Sequence, residues 1–337
     1  MRIMVMLCTL VLVFVGLYFS RAIIAPVTFA LFVVAIAWPL QRTLQLRIPK
    51  LLALAITIVV TLAIIAVLVL LVIWGFGLVF QWFTNNTARF QTLYTQATGW
   101  LDGHGVSITS LVAENYSPGW IMSAAREVGG RGYRLISFIV IAFAFIVLGL
   151  LEIDVARLNI EQLKNAKLRR SLLTAAQDIA EKFQKYMVVR SVMSLLTGVV
   201  VWSFALIAGI ELATAWGVIA FVLNYIPFIG PLIATVFPTL FALVQSGSWQ
   251  VTFAVFIGLN FIQFFIGSYL EPRIAGAALS MSPFVVLLAV FFWSFLWGIA
   301  GAFIGVPIMI AVLAVCEEHN STQWIALLLS GRDRKLT

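Results

Sequence analysis

Charged residues are scarce in this sequence. Asp, Glu, Lys and Arg make up 10% of its 337 residues, whereas soluble domains carry about 25%. A chain of this length with so few charges cannot cover its core with a solvated surface. Hydrophobic residues reach 63%. These values exclude a soluble enzyme, a disordered tail protein and a nucleic-acid-binding protein, and they indicate a polytopic membrane protein.

Cysteine and histidine are also scarce, with two of each. Cys8 and Cys316 lie far apart in apolar runs, so we expect inert thiols with no disulfide framework and no metal site. His104 and His319 lie outside those runs, and no HExxH motif, Ser–His–Asp arrangement, Walker loop or dinucleotide fingerprint is present. We therefore expect a protein that is not an enzyme and has no cofactor. Without a nucleotide-binding motif the chain cannot couple ATP hydrolysis to transport, so any uphill transport by such a membrane protein would use an ion gradient.

The net charge of +8 is distributed unevenly. No basic stripe is interleaved with aromatic residues, which argues against a nucleic-acid partner. Cytoplasmic loops of membrane proteins carry the excess of Lys and Arg. The loop with Arg42, Arg47 and Lys50 is therefore expected in the cytoplasm, as is the section 152–190, which has eight basic and five acidic residues.

Apolar runs between the charge clusters are long enough to cross a bilayer, which takes about 20 residues. The sequence predicts regular spans at 3–19, 22–40, 51–80, 135–151, 191–209 and 249–270. The chain then divides into six parts: N-terminal transmembrane helices (1–80), an extracytoplasmic amphipathic section (81–134), a fourth transmembrane helix (135–151), a cytoplasmic amphipathic helical section (152–190), a C-terminal transmembrane transport unit (191–316) and a cytoplasmic tail (317–337).

Two apolar runs in the C-terminal third do not fit regular spans. Residues 212–245 and 283–316 are each 34 residues long and are interrupted by Gly and Pro. Each is either one broken helix or a re-entrant hairpin, and charge asymmetry does not choose between these. The predicted fold is an all-α polytopic integral membrane protein with about eight transmembrane segments, both termini cytoplasmic, and two segments broken or re-entrant.

The two breaks are the main candidate functional features. Irregular backbone at bilayer depth is tolerated only where protein or a water-filled cavity satisfies its polar groups, and transporters build substrate sites at such breaks. The alternative is a pair of kinked helices that serve only packing. The first break contains Asn224, Pro227, Gly230 and Pro231; the second contains the predicted hinge residues Gly298, Gly301, Gly305 and Pro307.

A polar stripe is predicted between the two breaks. Asn260, Gln263, Gly267 and Glu271 are spaced by three, four and four residues, which places them on one helical face. Because amides are costly in lipid, we expect this face to point into the protein. It either lines a transport path or makes interhelical hydrogen bonds, with a small-residue contact at Gly267. Arg273 completes the candidate set, in shaping or gating the site with Glu271.

Three blocks of sequence carry a family resemblance. They are residues 224–231 (NYIPFIGP), 270–276 (LEPRIAG) and 292–298 (FWSFLWG), the last followed by Gly305-Val306-Pro307. Their order and spacing resemble the autoinducer-2 exporter (AI-2E) family. The wider layout, with a long third span and a fourth span ending at Glu152 and Asp154, is also similar. One departure is Ala277-Ala278, where family members often have a charged or polar residue.

The resemblance implies a bacterial or archaeal cytoplasmic-membrane protein and a homo-oligomer, a pentamer. It implies export of autoinducer-2, a small polar quorum-sensing signal, or, as in other members, Na⁺ or Li⁺/H⁺ antiport. The family's carboxylate motif falls on Glu271. No strong acidic pair lies within a span, which weakens the antiporter alternative.

The predicted function is export of a small polar solute, with H⁺ or Na⁺ as a candidate coupling ion and lipid as the surrounding partner. Asn224, Pro227, Gly230 and Pro231 would break the helix and offer backbone groups to the solute. The residues predicted to line the opposite wall are Asn260, Gln263, Glu271 and Arg273. From a different class, the chain would be a membrane scaffold that binds partners through 81–134 and 152–190.

Overall fold

The computed structural model describes residues 2–89, 119–275, 281–318 and 322–330, with isolated positions at 92, 95, 99 and 103. For 119–136 it describes the backbone alone. The described part is helical, apart from short turns and one isolated antiparallel bridge between Met281 and Ser330. The predicted all-α class is confirmed.

Twelve helical segments follow one another in the described residues. They are α1 (Arg2–Phe19), α2 (Arg21–Gln45), α3 (Lys50–Asn85), α4 (Gly119–Glu161), α5 (Ala166–Ile207), α6 (Ala213–Leu223), α7 (Ile229–Ser246), α8 (Trp249–Phe264), a π-helix (Phe265–Leu270), α9 (Glu271–Ala275), α10 (Pro283–Glu318) and α11 (Gln323–Leu329).

Seven stretches of the described chain are long and apolar enough to cross a membrane. This agrees with a polytopic membrane protein. The short apolar helix α6 has 11 residues, about 16 Å at 1.5 Å per residue, and does not span a bilayer alone. The seven stretches are Arg21–Gln45, Lys50–Asn85, Ser137–Glu161, Ala166–Ile207, Ile229–Ser246, Trp249–Ile274 and Pro283–Glu318.

Helices continue through several predicted boundaries. The section 152–190 and the span 191–209 were predicted as separate elements, but α5 is one helix of 42 residues. Its N-terminus is capped by the Asn165 side chain, which accepts hydrogen bonds from two backbone N–H groups. Similarly, α4 continues past Asp154 to Glu161. A helix needs only unbroken backbone bonding, so charged residues do not end it.

A cluster of glycines usually indicates a break in a helix, but α4 runs through Gly129, Gly130 and Gly132. A helical glycine costs about 1 kcal/mol relative to alanine, which lowers helix stability without ending the helix. Most of the predicted extracytoplasmic section between 90 and 118 lies outside the described residues. So do Ala277-Ala278 and residues 331–337 of the tail.

One carboxylate ties three helices together at the basic-loop end. The Lys50 Nζ of α3 lies 3.0 Å from an Asp154 carboxylate oxygen of α4. From α2, the Trp38 and Gln45 side chains donate to the same carboxylate at 3.5 Å. The Gln41 amide is buried and donates to the Leu150 carbonyl at 3.1 Å. α2 and α4 therefore run side by side in the same direction.

The first interrupted segment is a helical hairpin. α6 and α7 fold back on each other, with the Trp216 and Phe241 rings 5.2 Å apart. A Cβ at Gly230 would collide with the Leu223 carbonyl oxygen, so this close approach requires glycine. At the tip, Ile229 N–H donates to the Pro227 carbonyl at 2.7 Å, which closes a γ-turn around Phe228.

The second interrupted segment is also a hairpin, within α10. Gly298 adopts φ 66° and ψ −144°, a backbone conformation outside the helical region. A Cβ at Gly301 would collide with the Trp293 carbonyl oxygen, and one at Gly305 would lie 2.9 Å from the Ala289 carbonyl oxygen. Trp293 and Gly301 are eight residues apart, which would separate them by about 12 Å along a straight helix. Their contact shows that the chain folds back at Gly298, so that the first arm (283–297) packs against the second arm (299–318).

The two hairpins meet through aromatic rings. Tyr225, at the tip of the first hairpin, stacks on Phe303 in the second arm of the other, with centroids 6.4 Å apart. Phe303 also contacts Phe29 and Phe32 of α2 at 5.9 and 6.3 Å. Phe32 in turn lies 5.0 Å from Phe183 of α5. The first hairpin tip thus rests on the second hairpin and the N-terminal helices.

The close contact at Gly301 generates a stability prediction. We expect Gly301→Ala to lower the free energy of unfolding by about 1–3 kcal/mol, because the added methyl group overpacks the contact between the arms. Thermal unfolding of the purified protein in detergent measures this loss.

Gly77→Ala is the matched control. A Cβ there meets nothing within 4 Å, and alanine favours the helix by up to about 1 kcal/mol. Equal melting temperatures for both variants would contradict the hairpin packing.

Candidate functional site

The tip of the first hairpin is hydrogen-bonded to α5. The buried Asn224 amide donates to the Ser194 hydroxyl at 3.3 Å. The Tyr225 hydroxyl bonds the Ser191 hydroxyl at 3.0 Å. Tip and helix are both apolar around these groups, so each polar group needs the other. The two bonds set the depth of the tip along α5.

An ion pair lies beside these hydrogen bonds. An Arg190 guanidinium nitrogen of α5 is 2.6 Å from a Glu271 carboxylate oxygen, and the two side chains are 6% and 21% exposed. Glu271 follows directly after the π-helix and precedes Pro272. Proline lacks an N–H and its ring clashes with the carbonyl four residues back. The wider π-helical turns accommodate that clash and leave Glu271 oriented toward α5.

Five buried polar atoms are unsatisfied within the described part of the chain. Two of them are Gln41 Oε1 and Trp216 Nε1. The other three lie on α5 and α8 and meet no acceptor: the Tyr186 hydroxyl, Arg190 Nε and Gln263 Nε2. Tyr186 lies one turn before Arg190, and its hydroxyl is close enough to interact electrostatically with both Arg190 and Glu271. Buried polar groups are normally hydrogen-bonded, so each unpaired one needs an explanation, such as water or a ligand. All three atoms are hydrogen-bond donors.

We call the polar side chains that meet around Arg190 the buried polar cluster. It joins α5, the first hairpin tip and the start of α9, and its groups can bind and orient a solute. With one carboxylate paired to one guanidinium, it carries no net charge. Its members are Tyr186, Arg190, Ser191, Ser194, Asn224, Tyr225 and Glu271.

Of the predicted tip residues, Asn224 lies in the cluster and Pro227 is buried at the turn. The backbone donors at the start of α7 are already bonded: Gly230 N–H donates to the Ile226 carbonyl at 2.9 Å and Leu232 N–H to the Phe228 carbonyl at 3.1 Å. Pro231 has no N–H. The free hydrogen-bonding capacity near the tip therefore lies in side chains, not in the backbone N–H groups that the sequence suggested.

The predicted stripe on α8 does not form one inward face. Asn260 is exposed, and its amide donates to the Phe256 carbonyl of its own helix at 2.8 Å. Gly267 is also exposed, with nothing near a Cβ there. Gln263 and Glu271 are partly buried. The spacing argument assumed 3.6 residues per turn, whereas the π-helix has wider turns and shifts the residues after it.

Arg273 does not accompany Glu271 into the cluster. Its side chain is exposed and lies over the Tyr269 ring, 3.9 Å from the centroid. Phe261 and Phe265 continue this aromatic stack along the surface. Pro272 lies between the two charged residues. The Glu271 side chain contacts α5, whereas the Arg273 side chain lies on the surface.

The predicted hinge residues lie at the turn of the second hairpin and in its second arm. Gly298 makes the turn, Gly301 and Gly305 permit contact between the arms, and Pro307 is buried in the second arm. Their packing role is visible. Movement at these residues remains a prediction.

Sequence reasoning missed Arg190, the centre of the cluster. The charge pattern places Arg190 at the end of the cytoplasmic section 152–190. Its spacing from Tyr186 and Ser194, four residues on either side, was a usable signal, because such residues share a helical face. Its partner Glu271 is 81 residues away and cannot be found by spacing.

Comparison with known proteins identifies the family. The sequence profile described as AI-2E family transporter matches residues 7–321. The chain belongs to the AI-2E transporter family. Membrane transport is the general function of this family, which agrees with the expectation that the protein is not an enzyme.

Two related proteins match nearly the whole chain, and a third matches part of it. The "AI-2 transport protein TqsA" of Escherichia coli (strain K12) is 29% identical over 99% of this chain and 97% of its own length. A "Putative transport protein" of Haemophilus influenzae is 26% identical over 96% and 94%. The E. coli "Putative transport protein YhhT" is 34% identical over 44% of this chain and 43% of its own.

The Arg190–Glu271 pair of this family member generates a second prediction. Arg190→Leu leaves a carboxylate unpaired in a largely buried site, and we expect a loss of about 1–3 kcal/mol of stability, less than a fully buried pair because Glu271 is partly exposed. Glu271→Leu should cost a similar amount. The double Leu variant should be more stable than the sum of the single effects implies.

Thermal unfolding of all four proteins gives the coupling energy, expected at about 1 kcal/mol or more. The exposed pair Arg157–Glu161 is the control, since such i,i+4 pairs contribute about 0.3–0.5 kcal/mol. Additive effects at Arg190 and Glu271 would rule out the pair as a stabilising contact.

Proposed function

We propose that this transporter exports a small polar solute of the AI-2 kind, and that the solute binds at the buried polar cluster. The observation that carries this proposal is the pair of buried donors in the cluster that meet no acceptor, Tyr186 Oη and Arg190 Nε. Both lie on α5 just before Ser191 and Ser194, which hold the first hairpin tip. The relative TqsA is named for AI-2 transport, which supports the solute class.

The chemistry of the cluster suits a neutral solute rich in hydrogen-bond acceptors. Hydroxyl and carbonyl oxygens of the solute would accept hydrogen bonds from Tyr186 and Arg190. Asn224 would contribute an amide after releasing Ser194. Because Glu271 already neutralises Arg190, a solute with strong net charge would lack a counter-ion at this depth, where unpaired charge is costly.

The hairpin tip supplies a route for conformational change. Phe228 is 44% exposed and has φ 61° and ψ −50°, a strained conformation for a bulky residue. Such strain amounts to about 1–3 kcal/mol. A second tip conformation that relieves this strain would break the Asn224–Ser194 and Tyr225–Ser191 bonds and open the cluster. Gly298, Gly301, Gly305 and Pro307 would let the second hairpin follow.

The proposal includes a cytoplasmic-membrane location, both termini inside the cell and a homo-oligomeric assembly, a pentamer, as the family resemblance implies. Na⁺ or Li⁺/H⁺ antiport is the alternative activity, with Glu271 exchanging the cation or proton. Its 2.6 Å contact with Arg190 counts against that alternative, since the pair would have to separate in each cycle. The membrane scaffold is the non-transport alternative.

AI-2 release from loaded proteoliposomes tests the proposal. We expect the wild-type protein to release AI-2 at least tenfold faster than protein-free liposomes. Asn224→Ala should lower the rate at least fivefold because it removes an amide from the cluster. Gln263→Ala should do the same if the path continues along α8, where the Gln263 amide is a buried donor that meets no acceptor. Gln81→Ala, which removes an exposed amide of α3, is the matched control and should stay within twofold.

Each alternative has its own outcome. Wild-type release no faster than from protein-free liposomes would exclude AI-2 as the solute. Active wild-type protein with unchanged Asn224→Ala and Gln263→Ala rates would move the site elsewhere. A change of internal pH on adding Na⁺ or Li⁺ would favour antiport, since solute export alone produces none. Thermal stabilisation by AI-2 in detergent would argue against a scaffold.

A further inference from the structure

A second polar cluster lies at the basic-loop end of the N-terminal helices, away from the proposed transport path. Two arginines contact one tryptophan there. The Arg42 guanidinium of α2 lies 5.7 Å from the Trp38 ring centroid, and that of Arg157 of α4 lies 5.9 Å from it. We call Trp38, Arg42 and Arg157 the arginine–tryptophan cluster. Both arginines are exposed and Trp38 is half-buried.

The charges around this cluster do not cancel. The Asp154 carboxylate is bound by Lys50 at 3.0 Å, and Glu161 is bound by Arg157 at 3.0 Å. Arg42 has no ion pair with any residue that the structure describes. At this end of α2, α3 and α4, four cations (Arg42, Arg47, Lys50 and Arg157) therefore accompany three carboxylates (Glu152, Asp154 and Glu161), and two guanidinium groups share one ring. An anion from outside the protein would balance the excess charge.

The cluster lies where the apolar part of the helices ends. In α2 no charged residue separates Arg21 from Arg42, and in α3 none follows Lys50 before the end of the helix at Asn85. Trp and Arg are typical of the membrane–water interface, where the ring lies among headgroups and the arginine reaches phosphate. The anion available at this depth is the headgroup of a lipid.

We propose that the arginine–tryptophan cluster binds a phospholipid with a net negative headgroup. Arg42 and Arg157 would bind the phosphate oxygens, which the planar guanidinium can contact with two N–H groups. Trp38 holds the two guanidinium groups in place through cation–π contacts. The bound lipid would bridge α2 and α4 at the end where Asp154 already ties them to α3. This binding site is independent of the transported solute.

Native mass spectrometry of the purified full-length protein, titrated with phosphatidylglycerol or phosphatidylcholine, tests the proposal. We expect phosphatidylglycerol to bind at least fivefold more tightly than phosphatidylcholine. The Arg42→Gln/Arg157→Gln double variant should bind phosphatidylglycerol at least fivefold more weakly than the wild type. Arg47→Gln removes one charge from the adjacent loop without touching Trp38, and should stay within twofold.

Three results would overturn the proposal: unchanged phosphatidylglycerol affinity in the double variant, an equal loss in Arg47→Gln, or equal binding of both lipids. Glycerol phosphate, which has the headgroup charge without acyl chains, should not compete at lipid concentrations; effective competition would identify a site for a free phosphate instead.

If the double variant does not fold, Arg42→Gln alone decides the question. Arg42 has no carboxylate partner in the described chain, so its removal leaves no unpaired charge. We expect at least threefold weaker phosphatidylglycerol binding, and wild-type affinity would contradict the proposal.

Discussion

Backbone polar groups within a membrane need partners, and this requirement underlies the C-terminal half of the protein. A helix that stops inside the bilayer exposes N–H and carbonyl groups that lipid cannot satisfy. Both interrupted segments meet the requirement by folding back on themselves. Contacts that only glycine permits, at Gly230 and Gly301, bring the arms together. Each turn then packs on one side against other helices: the first against Phe303, and the second beside Leu17, where Trp297 Nε1 donates to the Leu17 carbonyl at 3.1 Å.

This enclosure produces the candidate site. The first hairpin carries Asn224 and Tyr225 to α5, where only polar side chains can satisfy them. Glu271 also reaches α5, where it pairs with Arg190. It does so although α8 and the π-helix separate it in sequence from the first hairpin. The hydrogen bonds and the ion pair that fix the hairpin tip and α9 on α5 therefore lie next to the Tyr186 and Arg190 donors that meet no acceptor. A candidate site of this kind combines a fixed scaffold with donors that meet no acceptor within the described chain.

Local pattern was informative where one helix decides the outcome. The charge gaps predicted α2 and α3 because apolar length alone determines whether a helix can cross a membrane. Pattern failed at boundaries such as Asp154, where the helix continues past its charges. It failed again along the stripe from Asn260 to Glu271, because the π-helix between Gln263 and Glu271 changes the angle between the residues before it and those after it. The π-helix depends on Pro272 and on packing against α5, and periodicity does not report either.

The sequence by itself determined the all-α membrane fold, the two interruptions and the family, and it named Asn224 and Glu271 as candidate site residues. These follow from composition, from Gly and Pro, and from short motifs, which are properties of neighbouring residues. Tertiary structure decided that the interruptions are hairpins, that Arg190 rather than Arg273 pairs with Glu271, and that Asn260 faces outward. These depend on contacts between segments far apart in the chain, such as the 81 residues between Arg190 and Glu271, and such contacts leave no periodic trace in either segment.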